Sequence, residues 1–278
     1  MKNRRPSRWI TPALFLACGC SSLAFAGSYI QNFDSFSSGY NFNDGSIVRT
    51  GNNEATTVGA WTGNPGFRLN GDTIQNQNVS YFLPSLEPTH TTSSFSASFD
   101  LLFKSDIVPA DAFSFNFGTI KTTASAFGSD QGMYDSQLVK TGSMLSVVWD
   151  TYSNGGSDPK SIELLLDGVR LANNTSTVPY VPQSFGASNY RNVTVNWANN
   201  LVSVYYGGNT VFSNVSTGSF APVLGDTFAF SANTGGSTQD VFLDNISITT
   251  VPEPSALALL GLASVSLLRR PRTKPQRP

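Results

Sequence analysis

The densest chemistry in the chain lies in the stretch Trp149-Asp150-Thr151-Tyr152-Ser153-Asn154-Gly155-Gly156-Ser157-Asp158-Pro159. Two carboxylates, an amide oxygen and several main-chain carbonyls fall within a few residues of one another. Hard cations such as Ca2+ take six to eight oxygen ligands, and a loop of this composition can supply them. The same spacing also suits a plain acidic turn, in which Asp and Asn hydrogen-bond their own backbone. A second acidic position, Asp111, opens the run Asp111-Ala112-Phe113-Ser114-Phe115-Asn116-Phe117.

Hydrolytic chemistry is poorly supplied. Between the two ends of the chain the glutamates are Glu54, Glu87 and Glu163. Retaining glycoside hydrolysis needs a carboxyl pair about 5–5.5 Å apart. Ser161-Ile162-Glu163-Leu164-Leu165-Leu166-Asp167 offers two acids on one strand face but no third. His90 is the one histidine, and a lone His is more often structural or solvent-exposed than part of a Ser-His-Asp triad, so no triad is expected. No catalytic residue is expected.

The elements that must position these groups read as strands. Phe95, Ala97, Phe99, Leu101 and Phe103 alternate with small or polar residues, as do Phe113, Phe115 and Phe117, and Val193, Val195 and Trp197. Alternation of period two marks a strand with one face in the core. Ile162–Leu166 and Val169–Ala172 flank Asp167-Gly168, and Leu201–Tyr206 and Thr210–Val215 flank Gly207-Gly208-Asn209. Both read as hairpins. Strands are also predicted over Thr227–Ser231 and Val241–Thr249. Helical periodicity is almost absent, so the middle of the chain is predicted to be one all-β domain, a jelly-roll sandwich of two antiparallel sheets.

The two ends read differently. Lys2, Arg4, Arg5 and Arg8, an apolar stretch from Ile10 to Leu23 and Ala24-Phe25-Ala26 have the three parts of a cleavable secretory signal. Residues 1–26 are therefore read as a signal helix, residues 27–250 as the domain, and Gly27 as the first mature residue. At the other end Val251-Pro252-Glu253-Pro254 leads into an apolar run from Ala256 to Leu268, closed by Arg269, Arg270 and Arg272. As a helix this run spans roughly 21 Å, short of the ~30 Å hydrocarbon core. Retention through the arginines fits it better than burial in a fold. Pro-Glu-Pro, a short apolar helix and terminal arginines resemble the PEP-CTERM sorting signal. The resemblance implies processing of segment 251–278 by an exosortase-type enzyme, membrane contact through the tail before processing, and a place on the cell surface or in the extracellular matrix of a Gram-negative bacterium.

The whole chain has 17 basic and 18 acidic residues, but nine of the basic ones lie in the two ends with only Glu253 to offset them. The segment 27–251 keeps 8 basic and 17 acidic residues. A surface this acidic excludes nucleic acid as a partner. Cys18 and Cys20 both fall in the leader, so the domain has no disulfide and no thiolate metal site.

The two acidic segments together resemble the L-type lectins, the concanavalin A-like family. Ala110-Asp111 matches that family's Ala-Asp strand start, with Ala112 where Gly is usual. Trp149 to Asn154 and Asp158-Pro159 match its metal loop. Phe228-Ala229-Phe230-Ser231-Ala232-Asn233-Thr234-Gly235 resembles a later strand of the family, and Asp244-Asn245-Ile246-Ser247-Ile248 its closing strand. The resemblance implies Ca2+ held by the side chains of Asp150, Asn154 and Asp158 and the carbonyl of Tyr152. It implies a sugar site in which Asp111 accepts from two hydroxyls, Asn154 donates, Tyr152 offers a ring face and Gly132 an amide. The family's transition-metal positions hold Val148 and Ser161 here, so no transition metal is expected. The implied function is non-catalytic binding of a glycan or exopolysaccharide. A structural or matrix-interaction role without sugar binding is the alternative, and glycoside hydrolysis a third.

Overall fold

The computed structural model describes residues 26–33, 46–51, 59–61, 64–70, 75, 77–104, 111–120, 140–153, 159–176 and 189–253. All belong to one compact unit, Phe25–Glu253. Among the described residues there is no α-helix, and the flanking signal and tail helices expected from the sequence lie outside them.

Among the described residues, fifteen strands form two antiparallel sheets. They are β1 (Ser28–Gln31), β2 (Ser46–Gly51), β3 (Gly59–Trp61), β4 (Asn64–Asn70), β5 (Gln77–Phe82), β6 (Thr92–Lys104), β7 (Ala112–Ile120), β8 (Lys140–Asp150), β9 (Ser161–Leu166), β10 (Val169–Asn174), β11 (Arg191–Ala198), β12 (Leu201–Tyr206), β13 (Asn209–Ser216), β14 (Thr227–Asn233) and β15 (Asp240–Pro252). The eight-stranded sheet has the order β13-β12-β11-β6-β15-β4-β3, with β1 also paired to β15. The seven-stranded sheet has the order β10-β9-β8-β7-β14-β5-β2. Both predicted hairpins form, and β15 runs on to Pro252, past the 250 boundary expected for the domain.

The core lies between the sheets. From the eight-stranded sheet, Phe95, Ala97, Phe99, Leu101 and Phe103 of β6 are all buried. They face Phe113, Phe115 and Phe117 of β7, Trp149 of β8, and Phe228 and Phe230 of β14. The rings pack mainly edge-to-face, as Phe99 does on Phe230 with centroids 5.0 Å apart and planes at 81°. This arrangement sets the positive ring edge of one against the negative face of the other. Phe230 also packs on Phe113 and Phe115. We expect Phe230→Ala to cost about 3–5 kcal/mol, read as a lower urea midpoint at unchanged m-value.

One feature departs from the alternating pattern. Alternation in β7 predicts an exposed face at Ser114 and Asn116, yet β7 and β14 are buried on both faces almost throughout. The polar residues on the second face satisfy one another. Ser80 Oγ donates to Ser231 Oγ at 2.9 Å, Asn116 Nδ2 to Ser114 Oγ at 2.9 Å, and Ser146 Oγ to Asn116 Oδ1 at 2.7 Å. Burial of hydroxyls and amides is tolerable once each finds a partner. A hydropathy pattern reports polarity and cannot report that pairing.

Candidate functional site

Asp111, Asp150 and Tyr152 come together at one end of the seven-stranded sheet. Cross-strand pairing sets Asn78, Asn233, Ala112, Asp150 and Ser161 in a single row across β5, β14, β7, β8 and β9. Residues paired in register share a face of the sheet. Asp111 precedes β7 by one residue, at the lip of that row.

The backbone of Asp111 is clamped from both sides. Its N–H donates to the carbonyl of Asn233 at 3.0 Å, and its carbonyl accepts from Thr151 N–H at 2.8 Å. The hydroxyl of Thr151 lies 2.8 Å from the same carbonyl and 2.7 Å from the side-chain oxygen of Gln239. Thr151 and Gln239 are both fully buried. A hydroxyl has one proton and cannot donate to two oxygens at once. Turning the Gln239 amide over resolves this, because its NH2 then donates to Thr151 Oγ1 while Thr151 donates to Asp111. It also gives Nε2 the partner that it otherwise lacks.

The carboxylate of Asp111 has its own clearance. A Cβ on Gly235 would lie 2.3 Å from Asp111 Oδ2 and 3.2 Å from Oδ1. The main chain of residue 235 therefore passes directly against the carboxylate, and any side chain there would displace it. Next to this, Asn233 Oδ1 is buried and has no hydrogen-bond partner.

Asp150 ends β8 and is half-buried. Its Oδ1 accepts from the N–H of Tyr152 at 3.0 Å, an Asx-type turn that starts the following loop. The turn reading of this stretch is thus realised at Asp150, and a carboxylate with about four acceptor positions can still bind elsewhere. Tyr152 is half-buried. Asn154, Asp158 and Gly132 lie outside the described residues, as does Ala110. Among the described residues no cluster of three or more His, Cys, Asp or Glu side chains is present.

Beside this end of the sheet, Val148 pairs in register with Glu163. Glu163 is buried, accepts from Ser161 Oγ at 3.0 Å, and forms an ion pair with Arg170 at 2.6 Å. Its negative charge is met by a guanidinium. His90 is hydrogen-bonded to its neighbour Thr89.

Sequence reasoning missed Thr151, Asn233, Gly235 and Gln239 as parts of the site. Thr151 stood in the metal-loop motif and Asn233 and Gly235 in the later strand motif, but none was read as a wall around Asp111. Gln239 gives no sequence signal, since its contact joins loops 88 positions apart.

The same arrangement of sheets occurs in solved structures. Peanut lectin superposes with a TM-score of 0.55 at 22% identity, covering 84% of this chain and 100% of that one. The Bauhinia forficata lectin, solved with GalNAc, superposes with a TM-score of 0.55 at 14% identity, covering 82% and 99%. The exoplasmic/lumenal domain of VIP36, in its Ca2+/Man3GlcNAc-bound form, gives 0.57 at 11% identity, covering 84% and 92%. The domain has a concanavalin A-like lectin fold. Overlapping the end of β15 and running past it, residues 250–272 match the PEP-CTERM protein-sorting motif. No curated protein matches the chain in sequence.

Proposed function

We propose that this lectin-fold domain binds carbohydrate without catalysis, at the end of the seven-stranded sheet around Asp111. The observation that carries the reading is the clamp on Asp111. Its main chain is fixed between Asn233 and Thr151, its carboxylate lies against a glycine, and Ala112 beside it pairs with Asp150. A pre-fixed carboxylate binds two neighbouring sugar hydroxyls without first losing side-chain or loop entropy. Asn154 would donate to the sugar, Gly132 would add an amide, and the half-buried ring of Tyr152 would cover sugar C–H groups.

The donors in and beside the row suit a hard cation. Asp150 brings a carboxylate, Tyr152 a carbonyl, and the buried, unpartnered oxygen of Asn233 adds to the oxygen-rich surroundings. Asp150, Tyr152, Asn154 and Asp158 would hold Ca2+, which when bound supplies the charge that fixes the 150–158 loop. Glycoside hydrolysis gains no support, because Glu163 is spent on Arg170 and Ser161. The sorting motif supports export, exosortase-type processing and a place at the cell surface or in the matrix of a Gram-negative bacterium, with glycan or exopolysaccharide as the partner.

Glycan-array binding with and without EDTA tests this. Retention that is lost on chelation and restored by Ca2+ is the expected result. No retained glycan, together with a Tm indifferent to Ca2+, overturns it in favour of a structural or matrix role.

A further inference from the structure

The start of the domain is built around a buried carboxylate. Glu87 is 5% exposed, and none of the Lys or Arg side chains among the described residues pairs with it. It receives the N–H of Gly27 on Oε1 at 3.0 Å and the hydroxyl of Thr250 on the same oxygen. Thr250 is fully buried, and its N–H donates to the carbonyl of Gly27 at 2.9 Å. Gly27 has no room for a side chain, since a Cβ would lie 2.2 Å from the carbonyl oxygen of Leu86 and 2.8 Å from Thr250 Oγ1. One residue earlier, Ala26 is exposed. Among the described residues, the first to be held by the fold is thus the one that follows the Ala24-Phe25-Ala26 cleavage signature, and its nitrogen lies on a buried carboxylate.

We propose that removal of the leader after Ala26 creates an ion pair between the new α-ammonium of Gly27 and Glu87, which locks the first strand onto the last. Hydrolysis by a signal peptidase adds one water across the Ala26–Gly27 peptide bond. The C–N bond breaks, Ala26 leaves as a carboxylate, and Gly27 keeps the nitrogen as an ammonium. Before cleavage that nitrogen is a neutral amide with one proton to donate. Afterwards it is a cation with three, at the same place. A buried carboxylate held only by neutral donors carries a desolvation cost that a cation in contact removes.

The location gives the lock a second consequence. Thr250, which shares Glu87 with Gly27, is the first residue of the sorting motif at 250–272. Beyond it the N–H of Glu253 donates to the carbonyl of Thr91 at 2.8 Å. Both processed ends of the domain are therefore tied at one buried side chain, and the completed N-terminus secures the strand from which the sorting tail departs. The inference rests on cleavage after Ala26 and is independent of what the sugar site binds.

The test compares three forms with the same C-terminus: one starting at Gly27, one starting at Phe25, and one starting at Gly27 with its α-amine acetylated. The first is expected to melt about 4–10 °C higher than the other two, from the strength of a charged hydrogen bond and the Tm response of a domain this size. Glu87→Gln is expected to erase the difference. Equal melting temperatures overturn the proposal, as does a gap that survives Glu87→Gln. Should Glu87→Gln fail to fold, the acetylated form decides alone, because it keeps Glu87 and removes only the charge. Mass spectrometry of the exported protein must also give Gly27 as its first residue, and any other start overturns the proposal.

Discussion

Asp111→Asn is expected to weaken glycan retention by at least about 100-fold while leaving the Tm within about 2 °C. The substitution keeps the shape of the side chain and changes its chemistry. A carboxylate accepts at both oxygens, whereas an amide presents an NH2 group to one of the two sugar hydroxyls. Hydrogen bonds to charged groups are worth about 1.5–3 kcal/mol each, so losing one costs about one to two decades, and the loss of charge at the remaining oxygen brings the total to about two or more. The backbone contacts of Asp111 to Asn233 and Thr151 do not involve the side chain and survive, so the fold is spared. Gly235→Ala is the companion arm. Its methyl must displace the Asp111 carboxylate, only 2.3 Å from the added atom, and should abolish binding with Asp111 still in place. Isothermal titration with a glycan retained by the wild-type chain checks both. Undiminished affinity in Asp111→Asn would place the sugar elsewhere on the lectin fold.

Particular residues show how far the sequence carries this reading. Asp167-Gly168 predicts a tight hairpin, and both residues take positive φ, 56° and 83°, as a two-residue turn requires. The alternation from Phe95 to Phe103 identifies the core face of β6 without error, because every inward residue there is apolar. The pairing of β1 with β15 joins residues more than two hundred positions apart. No local pattern encodes such a pairing, and only the closing of the sheet brings it about. The site divides in the same way. Asp111 and Asp150 stand in short motifs that betray them, whereas Gln239 and Gly235 act through packing that only the assembled fold creates. Ser114, Asn116 and Ser146 look like solvent-facing residues until their mutual hydrogen bonds are seen.

The second large effect concerns the ion pair that backs this site. Arg68 on β4 places Nε 2.6 Å and a terminal nitrogen 2.5 Å from Asp240 Oδ1 at the start of β15, with both side chains buried. Lys104 approaches the other oxygen only to 3.8 Å. Arg68→Ala should therefore remove a guanidinium that lies 2.5 Å from the Asp240 carboxylate, which is 1% exposed. Breaking a buried pair by removing one member costs about 3–5 kcal/mol, far more than the pair is worth against an apolar replacement. The double variant Arg68→Met with Asp240→Leu should accordingly be much more stable than Arg68→Ala. Urea unfolding of the two settles this, and equal destabilisation would show that the charges themselves stabilise the fold. The functional consequence runs through the neighbouring residue. Gln239, adjacent to Asp240, meets Thr151, which holds the carbonyl of Asp111. An apolar pair that keeps β15 in place should leave that chain of contacts intact and glycan affinity unchanged. Arg68→Ala, by disturbing the start of β15, should lower affinity together with stability. A stable double variant with lost affinity would instead show that the charge of the pair, and not its packing, sets the position of Asp111.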